Sequence, residues 1–363
     1  MGPATSVTRV ADQGIWIESD VPLAGTPEWS IPLRLVQAVA AGEAAELGSV
    51  SPRLASNLAT IRDIYAAWID GHRVPLSFEP SPPCPAPHSG VSLFFSCGVD
   101  SYYSLIRHQD EIDNLVLVHG FDVPLAETTT FALVEEQARA AARLFSKRLI
   151  VVRTNSHWEQ AKIPCRWRMY HGAVLMAVAY ALAPNHGKVY IASSHSSYAD
   201  MEPWGTHPLL DPLWSSDAVE IVHDGPNTRI EKLRLLVQYP EIMARLRVCW
   251  ENIGKYNCGL CEKCIRTMLA LRALGIDRCA VFPDTLTPEL VRQHELNRDS
   301  VLCWRELLCP GLPPALYAAV QSAVHSYEAG LPPRTGTWKR EVKRCLVAIR
   351  QSARVLMSVA DRS

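Results

Sequence analysis

Between residues 91 and 194 the sequence alternates short apolar segments, rich in β-branched residues, with segments of helical periodicity. Such apolar runs are typical of strands buried on both faces, and alternation at this spacing predicts a parallel sheet with helices on both sides. We therefore predict a doubly wound α/β fold. The predicted strands are Val91–Phe95, Asn114–Gly120, Arg148–Thr154 and Lys188–Ser194, and the predicted helices are Tyr102–His108, Thr130–Phe145 and Met169–Leu182.

A proline-rich segment, Phe78–Gly90, interrupts the chain and predicts a linker or an extended loop, because proline continues neither a helix nor a central strand. Before it, the patterns predict a strand at Gly14–Ile17 and helices at Ile31–Ala45 and Pro52–Asp70. We expect three regions: an N-terminal α+β appendage of unknown role at 1–85, a core at 88–285 that includes residues 249–264, and a helical extension at 286–363.

The composition excludes some classes of protein. The chain has 363 residues, and 36 Lys and Arg against 37 Asp and Glu leave a net charge of -1, so we do not expect a nucleic-acid binder. The longest apolar run, Gly172–Pro184, is too short to cross a bilayer, and we expect no secretory leader, because the first residues include no apolar run. We expect a cytoplasmic protein whose eleven cysteines are thiols or metal ligands rather than disulfides.

The first predicted strand of the core ends in a turn of small residues, Ser96–Ser101, followed by a helix. Backbone N–H groups at such a turn, beside the positive end of a helix, can form an anion site. Gly98 permits close approach of the backbone, and Asp100 is either a helix-start acceptor or a ligand for Mg²⁺. The alternative is an ordinary strand-to-helix turn with an N-cap serine, and six residues alone do not decide between the two.

Two more polar segments follow predicted strands, at His119–Asp122 and at Ser193–His195. Ligands of parallel sheets bind at the carboxyl ends of the strands, where these segments meet the turn at Ser96–Ser101. The convergence predicts one nucleotide-sized site at this edge.

Four cysteines follow in the pattern C-x8-C-x2-C-x2-C: Cys249, Cys258, Cys261 and Cys264. Two consecutive C-x2-C steps bring three thiolates to one point, and Cys249 can fold back as the fourth ligand. Four thiolates suit a closed, structural Zn²⁺ site. The alternatives are a redox C-x2-C pair, an iron–sulfur cluster and chance clustering. Zinc is preferred to all three.

With these residues in place, "SCGVDS" at 96–101 resembles the SGGxDS signature of the PP-loop ATP pyrophosphatases, with Cys97 where that family has its first glycine. Together with the cysteines, residues 91–283 resemble the 7-cyano-7-deazaguanine synthase (queuosine-precursor) family. The further matching segments are "IPCRWRMYHGAVLMAVAYAL", "YIASSHSSYADMEPWGTHPLLDPL", "TRIEKLRLL" and "CIRTMLALRALG".

The resemblance implies a HUP-type sheet, ATP, Mg²⁺ and Zn²⁺, and an adenylation reaction. A small-molecule carboxylate would attack the α-phosphate of ATP, pyrophosphate would leave into the loop, and ammonia or an amine would displace AMP to give an amide, with a second adenylation leading to a nitrile. The implied catalytic residues are Asp100, Ser101, Arg166 and Lys232. The implied nucleotide-binding residues are Ser96, Cys97, Gly98, Val99, Asp100, Ser101, His119, Ser194 and His195.

Other functions stay open at this point. A relative with added segments could attach a deazaguanine-type group to a protein or peptide. PP-loop enzymes also include tRNA sulfur-transferases, which need reactive cysteines and an RNA-binding surface. A nucleotide-binding subunit without catalysis is the third alternative, suggested by Cys97 and by the two extensions. The family also suggests a homodimer.

Overall fold

The computed structural model describes residues 7–82, 87–194, 196, 202–252 and 256–330. The strands are β1 (Thr8–Asp12), β2 (Ile15–Ser19), β3 (Ala45–Val50), β4 (Leu76–Pro80), β5 (Val91–Phe94), β6 (Asn114–His119), β7 (Arg148–Thr154), β8 (Lys188–Ala192) and β9 (Glu220–Asp224). The helices are α1 (Ile31–Ala41), α2 (Pro52–Trp68), α3 (Val99–Arg107), α4 (Thr128–Leu144), α5 (Ser156–Gln160), α6 (Trp167–Ala181), α7 (Arg229–Leu236), α8 (Pro240–Met243), α9 (Glu262–Ala273), α10 (Pro288–Arg292), α11 (Arg298–Arg305) and α12 (Pro314–Glu328).

A seven-stranded sheet, in the order β1-β2-β7-β6-β5-β8-β9, forms the centre of the described residues. The five strands from β5 to β9 pair in parallel, whereas β1 and β2 form an antiparallel hairpin that joins β7. The predicted α/β class with a mostly parallel sheet is confirmed. Strand order reverses at β5, between β6 and β8, which is where open α/β sheets form a crevice at their carboxyl ends.

Successive side chains of the parallel strands enter two different cores. Leu115 and Leu117 of β6 pack with α3, α4, α7 and α9, whereas Val116 between them packs with α1, α2 and α6 on the opposite face. The alternation follows from the two-residue period of a strand. Burial on both faces explains why the strand segments read as continuous apolar runs.

The N-terminal residues differ from the expected elements. The helix predicted at Ile31–Ala45 ends at Ala41, because Gly42 adopts a left-handed conformation (φ 75°), and residues 45–50 form β3. A strand, β1, precedes the predicted one, and β2 pairs with β7 through Ile17 and Thr154. The N-terminal hairpin therefore extends the central sheet, and α1 covers its face against α6.

The proline-rich segment begins inside β4, which pairs in parallel with β3 as a separate two-stranded sheet. The C-terminal helices α10, α11 and α12 share the core of α9. The rest of the predicted extension, 331–363, lies outside the described residues, and the boundaries at 85 and 285 stay predictions. Within the described ranges, no helix has the length and apolarity needed to cross a bilayer.

Candidate functional site

The loop after β5 presents free backbone amides at the carboxyl edge of the sheet. Helix α3 begins at Val99 after Gly98, and in the described structure no side chain caps its first turn. The hydroxyl of Ser101 instead accepts from the amide of Ser96 (3.3 Å) and donates to the carbonyl of Gly98 (3.2 Å), which closes the turn. Val99 is buried, so only its backbone can serve the loop. The first-turn amides are available to an anion.

Cys97 has a left-handed backbone (φ 59°), the conformation that glycine adopts most easily. The substitution therefore costs on the order of 1 kcal/mol. A hydrogen bond from the amide of Arg247 to the carbonyl of Cys97 (2.9 Å) holds the conformation. The thiol points into the core, where burial raises its pKa to about 12, so it does not supply a nucleophile. Cys97 therefore keeps the shape of the loop with only a small loss of folding free energy.

Two buried cations converge on Asp100 at the start of α3. Nζ of Lys232 lies 2.7 Å from one carboxylate oxygen, and Nη2 of Arg229 lies 3.5 Å from the other. Lys232 also donates to the carbonyl of Ser193 at the end of β8 (2.6 Å). Burial alone would raise the pKa of Asp100, but the charges of Lys232 and Arg229 hold it below its usual range. Two cations against one carboxylate leave an excess of positive charge beside the loop.

Both cations lie on α7, and a capping box fixes where this helix begins. Thr228 and Glu231 form a reciprocal capping box, with the Thr228 hydroxyl accepting from the amide of Glu231 (3.1 Å). Lys232 then lies one turn into the helix and faces the sheet. The predicted residues Asp100, Ser101 and Lys232 are thus brought together across 132 residues of chain.

The other predicted site residues are placed differently. His119 packs within its own turn, where its ring stacks on Phe131 (3.8 Å) and its Nε2 lies 3.2 Å from the carbonyl of Pro124. Burial lowers the pKa of His119, and its geometry gives no support to a nucleotide contact. Arg166 is exposed directly before α6, and its guanidinium has no partner among the described residues. Ser194 is exposed after β8, and His195 lies outside the described residues.

The four predicted metal ligands form one buried cluster, in which the sulfur atoms of Cys249, Cys258, Cys261 and Cys264 all lie within 4.8 Å of one another. Amides of Leu260 (3.3 Å) and Cys261 (3.2 Å) point at the sulfur of Cys258, as in sites that hold a thiolate. Hydrogen bonds from the other three thiols lower the pKa of Cys249. Four converging soft ligands fit a closed tetrahedral Zn²⁺ site.

Local structure explains how the cysteines converge. Gly259 is left-handed (φ 72°), and a Cβ there would lie 2.4 Å from Pro283, so the tight reversal between the second and third ligands needs glycine. The side chain of Asn257 accepts from the amides of Val248 (2.9 Å) and Cys249 (3.2 Å), which folds the first ligand back onto the others. We name these four residues the four-cysteine cluster.

The segment that leads into the four-cysteine cluster also contacts the loop at 96–101. Arg247 is buried, donates its backbone amide to Cys97, and bonds through its guanidinium to Asn252. The side-chain amide of Asn252 donates to the carbonyl of Asp122 after β6 (2.9 Å). The segment before the metal ligands therefore spans the carboxyl ends of β5 and β6.

An aromatic group at the same edge was not predicted. Phe121 follows β6, Trp167 and His171 lie one turn apart at the start of α6, and Trp204 follows β8; we name these four residues the aromatic cluster. Phe121 meets Trp167 edge-on (5.0 Å), and His171 meets Trp204 edge-on (5.6 Å). The only sequence signal was the spacing of Trp167 and His171, which places both on one face of α6.

Close backbone contact brings the loop of Trp204 to α6. A Cβ on Gly172 would lie 1.7 Å from the carbonyl oxygen of Gly205, so only two glycines allow this approach. Burial lowers the pKa of His171 to about 4 and keeps the ring neutral. The positive charge of Lys263, on α9, acts on His171 and also on Asp100. The aromatic cluster also lies close to the loop, because Arg247 bonds to Cys97 and to Asn252, and Asn252 donates to the carbonyl of Asp122, the neighbour of Phe121.

This edge of the sheet thus combines a turn with an uncapped helix start, buried cations and the aromatic cluster, with the four-cysteine cluster nearby. Comparison with known proteins adds no name: no protein-family model, no curated protein and no solved structure matches the chain.

Proposed function

We propose that the chain is an ATP-dependent enzyme that adenylates a carboxylate and releases AMP and pyrophosphate. One observation carries the proposal: the turn at 96–101 lies where strand order reverses, no side chain among the described residues caps the first turn of α3, and Lys232 and Arg229 approach the same helix start. Such an arrangement suits a polyanion at the crevice of a parallel sheet.

Charge supports pyrophosphate rather than a carboxylate as the occupant of the loop. The departing group carries several negative charges, and Lys232 and Arg229 are almost fully buried, so their fields are poorly screened. Asp100 offsets only one positive charge and holds Lys232 in place (2.7 Å). Preorganised amides and cations stabilise the charge that develops as the phosphorus–oxygen bond breaks.

The reaction would run in two steps. An oxygen of the carboxylate attacks the α-phosphorus, the bond to the bridging oxygen breaks, and the electron pair leaves with pyrophosphate. Ammonia or an amine then adds to the activated carbonyl, AMP leaves, and an amide forms. Both steps depend mainly on positioning and charge neutralisation. A 7-deazaguanine-type acid, with nitrile formation through a second adenylation, is the finer form of the proposal.

The metals have separate parts in this proposal. The four-cysteine cluster would hold Zn²⁺ with no open position, so zinc stabilises α9 and its Lys263 rather than reacting. Among the described residues, the four cysteines are the one group that could by itself hold an ion. Mg²⁺ would therefore reach the site with the phosphates of ATP and supply further charge neutralisation there.

Sulfur transfer is less well supported. Burial raises the pKa of Cys97 to about 12 and that of Cys165 to about 11, and the clustered cysteines suit a metal. A sulfur carrier instead needs an accessible, acidic thiol.

The test is product analysis. Purified protein with ATP, Mg²⁺, ammonium and a panel of carboxylic acids should release AMP and pyrophosphate only when an accepted acid is present. Ser101→Ala should lower that rate, because its hydroxyl closes the turn, whereas Ser56→Ala on α2 serves as a matched control. Release of ADP, or no binding of ATP, would contradict the proposal. Binding without turnover on any acid would favour a non-catalytic subunit.

A further inference from the structure

Helix α11 belongs to the C-terminal helices, yet its first turn reaches the aromatic cluster. Asn297 caps the helix by accepting from the amides of Asp299 and Ser300, both at 2.9 Å. The cap places Arg298 and Asp299 at the exposed start of the helix, facing the segment that follows β8. The core edge and the C-terminal helices thus meet at this point.

Arg168 is the centre of the contact. Its Nη1 lies 3.0 Å from the carboxylate of Asp299, its Nη2 donates to the carbonyl of Pro203 (3.0 Å), and its guanidinium carbon lies 5.0 Å over the ring of Trp204. The backbone carbonyl of Arg168 also accepts from the amide of Gly205 (2.8 Å). Asp299 therefore orients a guanidinium that holds two consecutive residues of the loop.

The other end of α11 is anchored in the core. Nε1 of Trp304 donates to Glu262 (3.0 Å), and Glu262 lies 3.1 Å from Arg266 on the next turn of α9. All three side chains are buried. Because α9 also carries Lys263 and starts at the four-cysteine cluster, α11 connects the metal-bearing helix with the loop of Trp204.

A second pair, Arg298 with Glu202 (2.7 Å), joins the same two segments. Arg298 is 72% exposed, so this pair adds little by itself. Asp299 matters more, because it is one of three groups that orient the guanidinium of Arg168, with the carbonyl of Pro203 and the ring of Trp204.

We propose that the acid substrate binds against the aromatic cluster and that Asp299 is a positioning residue, which acts through Arg168 to hold Trp204 in that cluster. This inference rests on the proposed function for its catalytic meaning, whereas its structural part stands independently. It makes the C-terminal helices a determinant of substrate affinity and not of nucleotide binding.

The experiment compares Asp299→Asn, Asp299→Glu and Arg305→Gln in the full chain. Arg305 pairs with Glu328 of α12 at the far end of α11 and is the matched control. Asp299→Asn should speed hydrogen–deuterium exchange in residues 202–210, above all at the amide of Gly205. It should raise KM for the acid roughly two- to five-fold, as expected for a partly exposed ion pair. KM for ATP and the thermal midpoint should stay unchanged, and Asp299→Glu should recover most of the effect.

Unchanged exchange in residues 202–210 would overturn the positioning role, and so would an equal change in Arg305→Gln. A matching rise in KM for ATP would also overturn it, because the effect would not be confined to the acid. If the wild-type chain neither binds nor cleaves ATP, the proposed function fails, while the exchange data still decide whether Asp299 positions the loop.

Discussion

The four-cysteine cluster and the aromatic cluster are both built around α-helix starts, yet they are assembled in opposite ways. The cysteines lie within residues 249–264 and are folded together by one glycine and one asparagine nearby in sequence. The aromatic residues come from three segments, after β6, at the start of α6 and after β8. One region is specified locally, and the other exists only after the sheet has formed.

This difference predicts how strongly a single substitution should affect each of the two clusters. Four ligands on one ion act as a unit, so losing one should remove the centre. Aromatic contacts are separate and individually small, on the order of 1 kcal/mol, so losses there should be graded. The loop at 96–101 is intermediate, because a local turn is completed by a distant lysine.

The largest effect is expected from Cys261→Ser. Structural zinc contributes roughly 10–16 kcal/mol to small zinc domains, so losing a ligand should destabilise the chain by more than about 5 kcal/mol. Elemental analysis should find one zinc per wild-type chain and less in the variant, whose thermal midpoint should fall. Cys309→Ser, outside the cluster, is the control. A variant that keeps its zinc, or a wild type that carries iron, would contradict the assignment.

Lys232→Met should have the next largest effect. The change removes the contact of Lys232 with Asp100, which keeps its contact with Arg229, and the hydrogen bond from Lys232 to the carbonyl of Ser193. Breaking a buried pair costs roughly 3–5 kcal/mol. Because Asp100 is 22% exposed, the lower end is expected. Urea unfolding measures the loss, and ATP binding should weaken with it. Lys188→Met removes a more exposed pair with Glu111 and should cost less than about 1 kcal/mol.

Acid should destabilise the aromatic cluster without removing a contact. Burial lowers the pKa of His171 to about 4 from an ordinary value of 6.5, so the unfolded chain binds this proton first. Stability is complete above pH 6.5 and falls as the pH drops towards 4, at up to about 1.4 kcal/mol per pH unit. His186, with its pKa also lowered to about 4, adds to the same slope.

The change of unfolding free energy with pH measures the contribution of His171 to stability. Unfolding free energies measured between pH 7 and 4 should depend less on pH in His171→Gln than in the wild type. His325→Gln, at an exposed position of α12, should keep the wild-type slope. An unchanged slope in His171→Gln would mean that the ring is not held neutral by burial.

The smallest effect is expected from Gly172→Ala, and its sign is informative. In an exposed helix this change stabilises by about 1 kcal/mol, but here the new methyl meets the carbonyl of Gly205 at 1.7 Å. We expect a net loss of roughly 1–3 kcal/mol, as for other overpacked sites. Gly25→Ala is the control in thermal unfolding, because a Cβ added at Gly25 would have no heavy atom within 4 Å apart from its chain neighbours. A stabilised Gly172→Ala variant would mean that the loop of Trp204 does not rest on α6.

Much of this could be predicted from patterns that are local in the chain. The alternation from Val91 onward predicted the parallel strands, since burial on both faces makes each strand an uninterrupted apolar run. The cysteine spacing predicted the cluster, because short loops bring such ligands together without help from the rest of the fold. The small residues at 96–101 predicted the turn for the same reason.

Tertiary structure decided the rest, because contacts between distant segments depend on how strands are ordered and helices packed. The hairpin of β1 and β2 joins β7, and the pairing of Lys232 with Asp100 spans the reversal of strand order. His119 is predicted at the ligand because it ends a strand, and the stacking of its ring on Phe131 is a contact that the strand pattern does not predict. Trp204 contacts His171 because Gly172 and Gly205 allow the loop to pack closely against α6. No periodicity or spacing in the sequence predicts that contact.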